Sequence, residues 1–187
     1  MTTLAAIQGN GWAVIGSDSL STDDSGRPIQ MATPKIVQNG SYLIAGAGSV
    51  RGCNILQYGW TPPKPRGDLD KFMTKTFIPA MRKAFLEAGY DMKQDSSEAL
   101  HDSEFLVIVH GVIYPIFEDY SWERSTEPYY VSGSGGGFAL GALKALDPDI
   151  SSEWLARQSI EKAIQIAMSC DTASGGSIYL ASQKGYK

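Results

Sequence analysis

The sequence predicts an α+β fold, a four-layer αββα sandwich in which two antiparallel sheets face each other and helices cover both outer faces. Three pairs of β-prone segments are each joined by a tight turn, at Asn10-Gly11, at Asn39-Gly40 and at Gly111. Such short connections imply antiparallel pairing. Helical periodicity appears after the second pair and again after the third. We expect one compact domain that covers residues 1–187.

The strands follow from the β-prone runs on either side of these turns. The run Phe105–Val109 is apolar at every position, which is typical of a strand covered on both faces. A closing strand is expected near the C-terminal end. The expected strands are residues 3–8, 12–16, 35–37, 41–45, 105–109, 112–117 and 177–181.

Helices are expected at residues 49–58, 69–88, 136–146 and 152–170. The last of these has the clearest helical period, with apolar residues repeating along one face. Pro79 lacks an amide proton and is expected to kink or divide the second helix. The segment Trp60–Arg66 contains three prolines, and we interpret it as a loop within the domain.

The composition argues against nucleic acid and membranes as partners. The net charge is −4 and the Lys and Arg residues are scattered along the sequence, so no basic field for a phosphate backbone is expected. No stretch approaches the roughly 20 apolar residues of a membrane helix, and the N-terminus lacks signal-peptide features. We therefore expect a cytoplasmic protein.

The cysteines and histidines favour neither a metal ion nor any other cofactor. Cys53 and Cys170 have no metal-ligand spacing and are expected to be small buried thiols. His101 and His110 lie outside any metal-binding or triad pattern and are expected in loops. A general base must therefore come from another group.

Thr2 offers such a base if Met1 is removed, because a threonine with a free α-amine contains a nucleophile and a base in one residue. The α-amine has a reference pKa of roughly 7.7–8.0, which suits a general base at neutral pH. A nearby ammonium group, for which Lys35 is the candidate, would lower that pKa further. Taken alone, Thr2 indicates no more than an ordinary strand start, because many cytoplasmic proteins begin with Met-Thr.

Residues 1–19, Met-Thr-Thr-Leu-Ala-Ala-Ile-Gln-Gly-Asn-Gly-Trp-Ala-Val-Ile-Gly-Ser-Asp-Ser, resemble the start of HslV and of proteasome β-subunits. The Asn-Gly turn and Asp18 are in register without gaps. By this resemblance Thr2 matches the family's nucleophile and Asp18 its conserved acidic residue. Lys35 matches the catalytic lysine after a one-residue insertion relative to HslV.

Three later segments strengthen the resemblance to this family. Residues 45–49, Ala-Gly-Ala-Gly-Ser, are similar to the segment whose glycine amide donates to the oxyanion, which makes Gly48 the expected donor. Ser134 lies in a Gly-Ser-Gly-Gly run similar to the turn beside the threonine amine. Asp171 and Ser174 belong to an Asp-x-x-Ser-Gly-Gly motif similar to that of proteasome β-subunits, a motif that HslV lacks.

The resemblance implies an N-terminal nucleophile (Ntn) hydrolase fold and a threonine peptidase that cleaves unfolded polypeptides. It further implies a homo-oligomer of stacked hexameric or heptameric rings, with an ATP-dependent unfoldase as a possible partner. The pocket for the residue before the cleaved bond is expected between Leu20, Gly46 and Val50. Their small or apolar character favours apolar substrate side chains.

Two other functions remain open at this point. In one, Met1 is kept and the chain is a catalytically silent structural subunit that serves only for assembly. In the other, the chain is an Ntn amidohydrolase that acts on a small amide, since a fold does not fix its substrate.

Overall fold

The computed structural model describes residues 2–23, 25–90, 92–93 and 99–185, and at positions 92, 93 and 99 it describes the backbone alone. The strands are β1 (Leu4–Gly9), β2 (Trp12–Ser17), β3 (Leu20–Thr22), β4 (Pro28–Gln30), β5 (Ile36–Asn39), β6 (Tyr42–Gly48), β7 (Met92–Lys93), β8 (Ala99–Leu100), β9 (Ser103–Val109), β10 (Val112–Ile116), β11 (Tyr129–Ser132) and β12 (Tyr179–Lys184). The α-helices are α1 (Val50–Asn54), α2 (Leu69–Phe72), α3 (Ile78–Glu87), α4 (Gly136–Leu146) and α5 (Glu153–Cys170). The π-helical turns Ile55–Gly59 and Met73–Phe77 follow α1 and α2.

Two antiparallel sheets occupy the centre of the described part of the chain. One has the strand order β11-β1-β2-β12 and the other has the order β10-β9-β6-β5. Each of the three predicted hairpins supplies two neighbouring strands. The predicted antiparallel pairing is therefore confirmed. The short strands β3 and β4 pair with each other, as do β7 and β8.

The turn at Asn10-Gly11 sets the register of the first hairpin. Gly11 has a φ of 77°, a left-handed conformation that glycine adopts without strain. The resulting register pairs Leu4 with Ser17. Consequently, the residues just before β1 and just after β2 meet at one end of the sheet.

Three layers of buried side chains separate the sheets and helices. Phe77 and Tyr114 belong to the cluster between the second sheet and the helices α1 to α3. Ile15 and Leu106 belong to the cluster between the two sheets. Ile164 belongs to the cluster between the first sheet and the helices α4 and α5. The order is helices, sheet, sheet, helices, so the four-layer prediction is confirmed.

The sequence prediction missed β11 and misplaced β12. Strand β11 pairs with β1 at the edge of the first sheet, and its four residues are too few to show a clear alternation of apolar and polar side chains. The closing strand was predicted at residues 177–181 and instead runs from Tyr179 to Lys184. Strand β11 matters for the site because the chain leaves it directly into the glycine-rich turn before α4.

The helix predicted at residues 69–88 is divided, as Pro79 led us to expect, but the irregular part precedes the proline. The π-helical turn Met73–Phe77 separates α2 from α3, and Pro79 lies in the first turn of α3. A missing amide proton costs least at that position. The predicted helices that correspond to α4 and α5 are confirmed.

The cysteine prediction is wrong for Cys170, whose side chain is exposed, whereas Cys53 is half-buried. Cys170 ends α5 beyond Ala167, the last buried residue of that helix. His101 and His110 lie in connections between strands, as predicted. No helix among the described residues is long and apolar enough to cross a membrane. Those residues also contain no group of three or more potential metal ligands.

Candidate active site

The predicted site residues lie at the ends of strands and helices, on one edge of the sandwich. Thr2 precedes β1 and Asp18 follows β2, while Lys35 precedes β5. Ser134 lies between β11 and α4, and Asp171 follows α5. Chain segments that are far apart in sequence therefore supply the chemical groups of one site.

Lys35 connects Thr2 with Asp18. Its Nζ donates to Thr2 Oγ1 at 3.1 Å, to Asp18 Oδ1 at 2.7 Å and to the Leu20 carbonyl at 2.6 Å. The Lys35 side chain is buried, and burial lowers its pKa below the usual value, against the opposing effect of Asp18. A buried cation beside the hydroxyl favours its ionised form electrostatically.

Asp18 is almost completely buried and its carboxylate is held by several main-chain amides. Thr3 N donates to Oδ1 at 2.9 Å, and Leu20 N and Gly175 N donate to Oδ2 at 3.2 Å and 3.0 Å. Hydrogen bonds of this kind stabilise a charged carboxylate and fix its position. Asp18 therefore holds the Lys35 ammonium in place beside Thr2.

Asp171 is the centre of a second hydrogen-bonded cluster. Its Oδ2 accepts from Ser134 Oγ and from Ser174 Oγ, both at 2.7 Å, and Oδ1 accepts from Ala173 N at 3.1 Å. Burial raises the pKa of the Asp171 carboxyl, but these hydrogen bonds outweigh it and hold the pKa below its usual value. The Ser174 hydroxyl also lies 2.6 Å from Thr3 Oγ1.

The glycine-rich turn at residues 133–136 packs directly against the first residues of the chain. Gly135 N donates to the Thr2 carbonyl at 3.2 Å. A Cβ at Gly133, whose φ is 82°, would collide with the Thr2 carbonyl, and one at Gly135 would collide with Thr3 Oγ1. Glycine is thus required at both positions for the turn to approach Thr2 and Thr3 this closely.

A cleft of about 900 Å³ opens beside Thr2 and is also lined by Gly48 and Ser134. Gly48 has a φ of 102°, and a Cβ there would lie 2.7 Å from the Asp102 carbonyl. Carboxylates outnumber cations in the walls of the cleft. The carboxylates belong to Asp23, which pairs with Arg27, and to Asp102, Glu104 and Glu118, and the cation to Arg51.

A narrower pocket adjoins Thr2 and Lys35 and contains two of the three predicted pocket residues. Gly46 and Val50 line it, together with Cys53. Leu20 is not part of the described lining, which includes its neighbour Ser21 instead. The Leu20 carbonyl accepts a hydrogen bond from Lys35. Successive side chains of an extended strand point to opposite faces. An error of one residue in the alignment therefore assigns the wrong side chain to the pocket.

Cys53 was not predicted as a pocket residue. A Cβ at Gly46 would lie 2.5 Å from Cys53 Sγ, so the glycine makes room for the thiol. Burial raises the pKa of the Cys53 thiol to about 11. It is therefore a neutral, weakly polar wall of the pocket at physiological pH. Two features of the sequence could have revealed Cys53 as a pocket residue: the helical periodicity of residues 49–58 and the predicted role of Gly46.

All six residues predicted to be catalytic belong to the two clusters around Asp18 and Asp171. The sequence reasoning missed Thr3, whose amide bonds to the first cluster and whose hydroxyl bonds to the second. The feature of the sequence that could have identified Thr3 is its position immediately after the candidate nucleophile Thr2.

No protein-family model and no curated protein matches this sequence. Several solved structures match its fold. They include BPH from Thiobacillus denitrificans in complex with epoxomicin, with 20% identity, 100% of both chains covered and a TM-score of 0.79. HslV from Trypanosoma brucei has 18% identity over 98% of this chain and 99% of its own, with a TM-score of 0.66. An Anbu mutant from Hyphomicrobium sp. strain MC1 has 13% identity over 98% of this chain and 82% of its own, with a TM-score of 0.71. The chain thus has the proteasome-like Ntn-hydrolase fold.

Proposed function

We propose that this chain is a threonine-type endopeptidase subunit that hydrolyses peptide bonds of unfolded polypeptides through Thr2. The observation that carries the proposal is the 3.1 Å contact between Lys35 Nζ and Thr2 Oγ1, with Asp18 Oδ1 2.7 Å from the same ammonium. This arrangement lowers the cost of forming an alkoxide at neutral pH. The proposal requires that Thr2 becomes the first residue of the mature chain.

In the proposed reaction, Thr2 Oγ attacks the carbonyl carbon of the scissile peptide bond while its proton passes to the α-amine of the same residue. The carbonyl π electrons move to oxygen and form a tetrahedral oxyanion. The Gly48 amide donates to that oxyanion, an effect worth on the order of 3 kcal/mol in comparable sites.

The ammonium of Thr2 then gives its proton to the leaving nitrogen as the C–N bond breaks, which leaves an acyl ester on Thr2 Oγ. A water molecule attacks this ester with the α-amine again acting as base. The products are a free carboxyl terminus and a regenerated hydroxyl. Asp171 and the serines bonded to it orient the amine and the water.

The open shape of the cleft favours a polypeptide over a small amide as substrate. The cleft beside Thr2 is open to solvent, as an extended polypeptide requires, whereas the pockets of small-molecule enzymes bury most of their ligand. Gly46, Val50 and the neutral Cys53 thiol favour an apolar side chain in the narrow pocket. The carboxylates along the larger cleft favour basic residues elsewhere in the substrate.

We further propose that copies of the chain assemble into stacked hexameric or heptameric rings that admit only unfolded polypeptide, served by an ATP-dependent unfoldase. The resemblance to HslV and proteasome β-subunits supports this assembly. Exposed apolar side chains on and between α4 and α5, such as Phe138 and Trp154, are suitable for contacts between copies. Light scattering of the purified protein measures the oligomer mass, and a monomer at micromolar concentration contradicts the ring.

The activity is tested by the intact mass of the purified protein together with the hydrolysis of fluorogenic peptides. Wild type is expected to lack Met1 and to cleave peptides that carry an apolar residue before the cut bond. Thr2→Ala is expected to abolish cleavage, and Thr61→Ala, an exposed site in a distant loop, serves as the matched control.

Retention of Met1 without any cleavage would favour the silent structural subunit instead. Cleavage by Thr2→Ala at the wild-type rate would exclude Thr2 as the nucleophile. Turnover of small amides but not of peptides would favour the amidohydrolase.

A further inference from the structure

A groove of about 500 Å³ runs between the proline-containing loop, residues 60–66, and the helical segment that begins at Leu69. It is lined by cationic side chains from both elements. These are Lys64, Arg66, Lys71 and Lys75. The expectation that Lys and Arg form no cluster is therefore wrong at this place, because the loop turns back along the helix.

The loop holds its two cations on a fixed backbone. Asn39 Nδ2 donates to the Trp60 carbonyl at 2.8 Å, and Tyr42 OH donates to the Pro63 carbonyl at 2.6 Å. The Trp60 ring packs on Phe77 with its centroid 5.3 Å away. The prolines restrict φ along the loop, so little backbone conformational entropy is lost when Lys64 and its neighbours bind a ligand.

The two lysines of the helical segment bring like charges to one groove. Lys71 lies in α2 and Lys75 in the π-helical turn that follows it, and both line the groove. One carboxylate, that of Asp68, also lines the groove, and its Oδ1 accepts from the Lys71 amide. The next carboxylate, Asp70, bonds to Tyr114 OH at 2.6 Å and pairs with Arg124. The groove thus has four cations and one anion.

Within the described residues, none of the four cations forms an ion pair or a side-chain hydrogen bond. They are exposed, and the whole chain carries a net charge of −4. Pro63, which is half-buried, adds an apolar surface to the groove. A local excess of positive charge on an acidic protein attracts an anionic partner and steers its approach.

We propose that this groove binds an extended acidic segment of a partner protein. The carboxylates of the segment contact the four cations, and an apolar side chain packs against Pro63. A peptide is favoured over nucleic acid because Phe72, the aromatic residue of the groove, is only 7% exposed. Bases therefore find no aromatic face there on which to stack.

The proposed binding is separate from the proposed hydrolysis. None of the groove residues lines the cleft beside Thr2. Binding can thus be measured on the Thr2→Ala protein, which leaves the probe peptide intact. Failure of the groove proposal leaves the peptidase proposal untouched, and the reverse also holds.

The test is fluorescence anisotropy with a short labelled peptide of glutamates and interspersed leucines, titrated with the Thr2→Ala protein. Saturable binding that weakens as salt is raised is expected. The same peptide with glutamine in place of glutamate is expected not to bind. Lys71→Gln/Lys75→Gln is expected to weaken binding by about tenfold, which is the combined effect of two exposed ion pairs.

The matched control is Lys162→Gln/Lys184→Gln, which removes the same charge on and beside α5 and is expected to bind as the parent does. Circular dichroism establishes that every variant is folded. Lys64→Gln/Arg66→Gln tests the loop side of the groove without altering the helix. Equal affinity for the glutamate and glutamine peptides overturns the proposal. A loss of affinity in the control variant equal to that in the groove variants also overturns the proposal. Tighter binding of a single-stranded oligonucleotide than of the acidic peptide at the groove overturns it as well.

Discussion

The hydroxyl oxygens of Thr3 and Ser174 lie 2.6 Å apart, although 171 positions separate the two residues in the chain. Ser174 donates to Asp171, so the Thr3 hydroxyl is the donor in the bond that it shares with Ser174. The start of the first strand is thereby tied to the carboxylate that also accepts from Ser134. We therefore expect Thr3 to position its neighbour Thr2.

Thr3→Val keeps the shape of the side chain but removes this hydrogen bond. We expect a loss of about 1 kcal/mol in the free energy of unfolding, because a buried acceptor loses its donor. We also expect a lower kcat for peptide hydrolysis with little change in KM, since Thr2 is displaced and the pockets are not. Urea unfolding and steady-state kinetics measure the two effects. An unchanged kcat would show that the bond has no positioning role.

Lys35→Met leaves the Asp18 carboxylate buried without its cation. We expect a destabilisation of about 3–5 kcal/mol, as found when one partner of a buried ion pair is removed, and no detectable peptide hydrolysis. The double variant Asp18→Asn/Lys35→Met removes both charges and is expected to recover part of the stability but none of the activity.

Thermal and urea unfolding measure the stability of these variants, and Lys83→Met, at an exposed lysine, is the control for loss of a lysine in general. Activity of a folded Lys35→Met protein at the wild-type level would contradict the proposed role of the ammonium.

Gly135→Ala places a methyl group where Thr3 Oγ1 lies. We expect about 1–3 kcal/mol of destabilisation from overpacking and a loss of activity as the turn moves away from Thr2. Gly137→Ala is the matched control two residues later, because its Cβ meets no atom within 4 Å. That substitution is expected to stabilise α4 by about 0.5–1 kcal/mol. Equal changes in the free energy of unfolding for the two substitutions, measured in urea, would refute the close approach of Gly135 to Thr3.

Stability is expected to fall in alkaline solution because of Tyr42. Burial raises the pKa of its phenol well above the usual range in the folded state, whereas an unfolded tyrosine ionises near pH 10. Above about pH 10 the unfolded chain therefore binds fewer protons than the folded chain, and stability falls as pH rises. Tyr42→Phe is expected to flatten this fall in urea titrations above pH 10. An identical pH dependence of stability in wild type and variant would show that Tyr42 does not cause the alkaline fall.

Sequence reasoning succeeded where local chemistry decides the structure. The Asn-Gly turns allow only tight hairpins, and the uniform apolar run at Phe105–Val109 is explained by its burial between two layers. The candidate catalytic residues were identified through the resemblance to HslV and proteasome β-subunits, and the fold brings them together.

Sequence reasoning failed where a contact between residues far apart in the chain determines the structure. Strand β11 exists because β1 offers an edge for pairing, and nothing in residues 129–132 alone specifies that. Leu20 was assigned to the pocket, whereas Ser21 lines it, since the face that each residue of a short strand presents depends on the register of that strand. The cations of the groove became neighbours only when the loop was fastened to Asn39 and Tyr42.

The amide of Gly175 that bonds to Asp18 has a consequence for the order of events during protein synthesis. Thr2, Asp18 and Lys35 leave the ribosome before the segment that completes the carboxylate's bonds. A partly made chain thus carries its proposed nucleophile without the finished surroundings of Asp18. The proposed peptidase would gain its complete site only after Gly175 has been synthesised and has folded against Asp18.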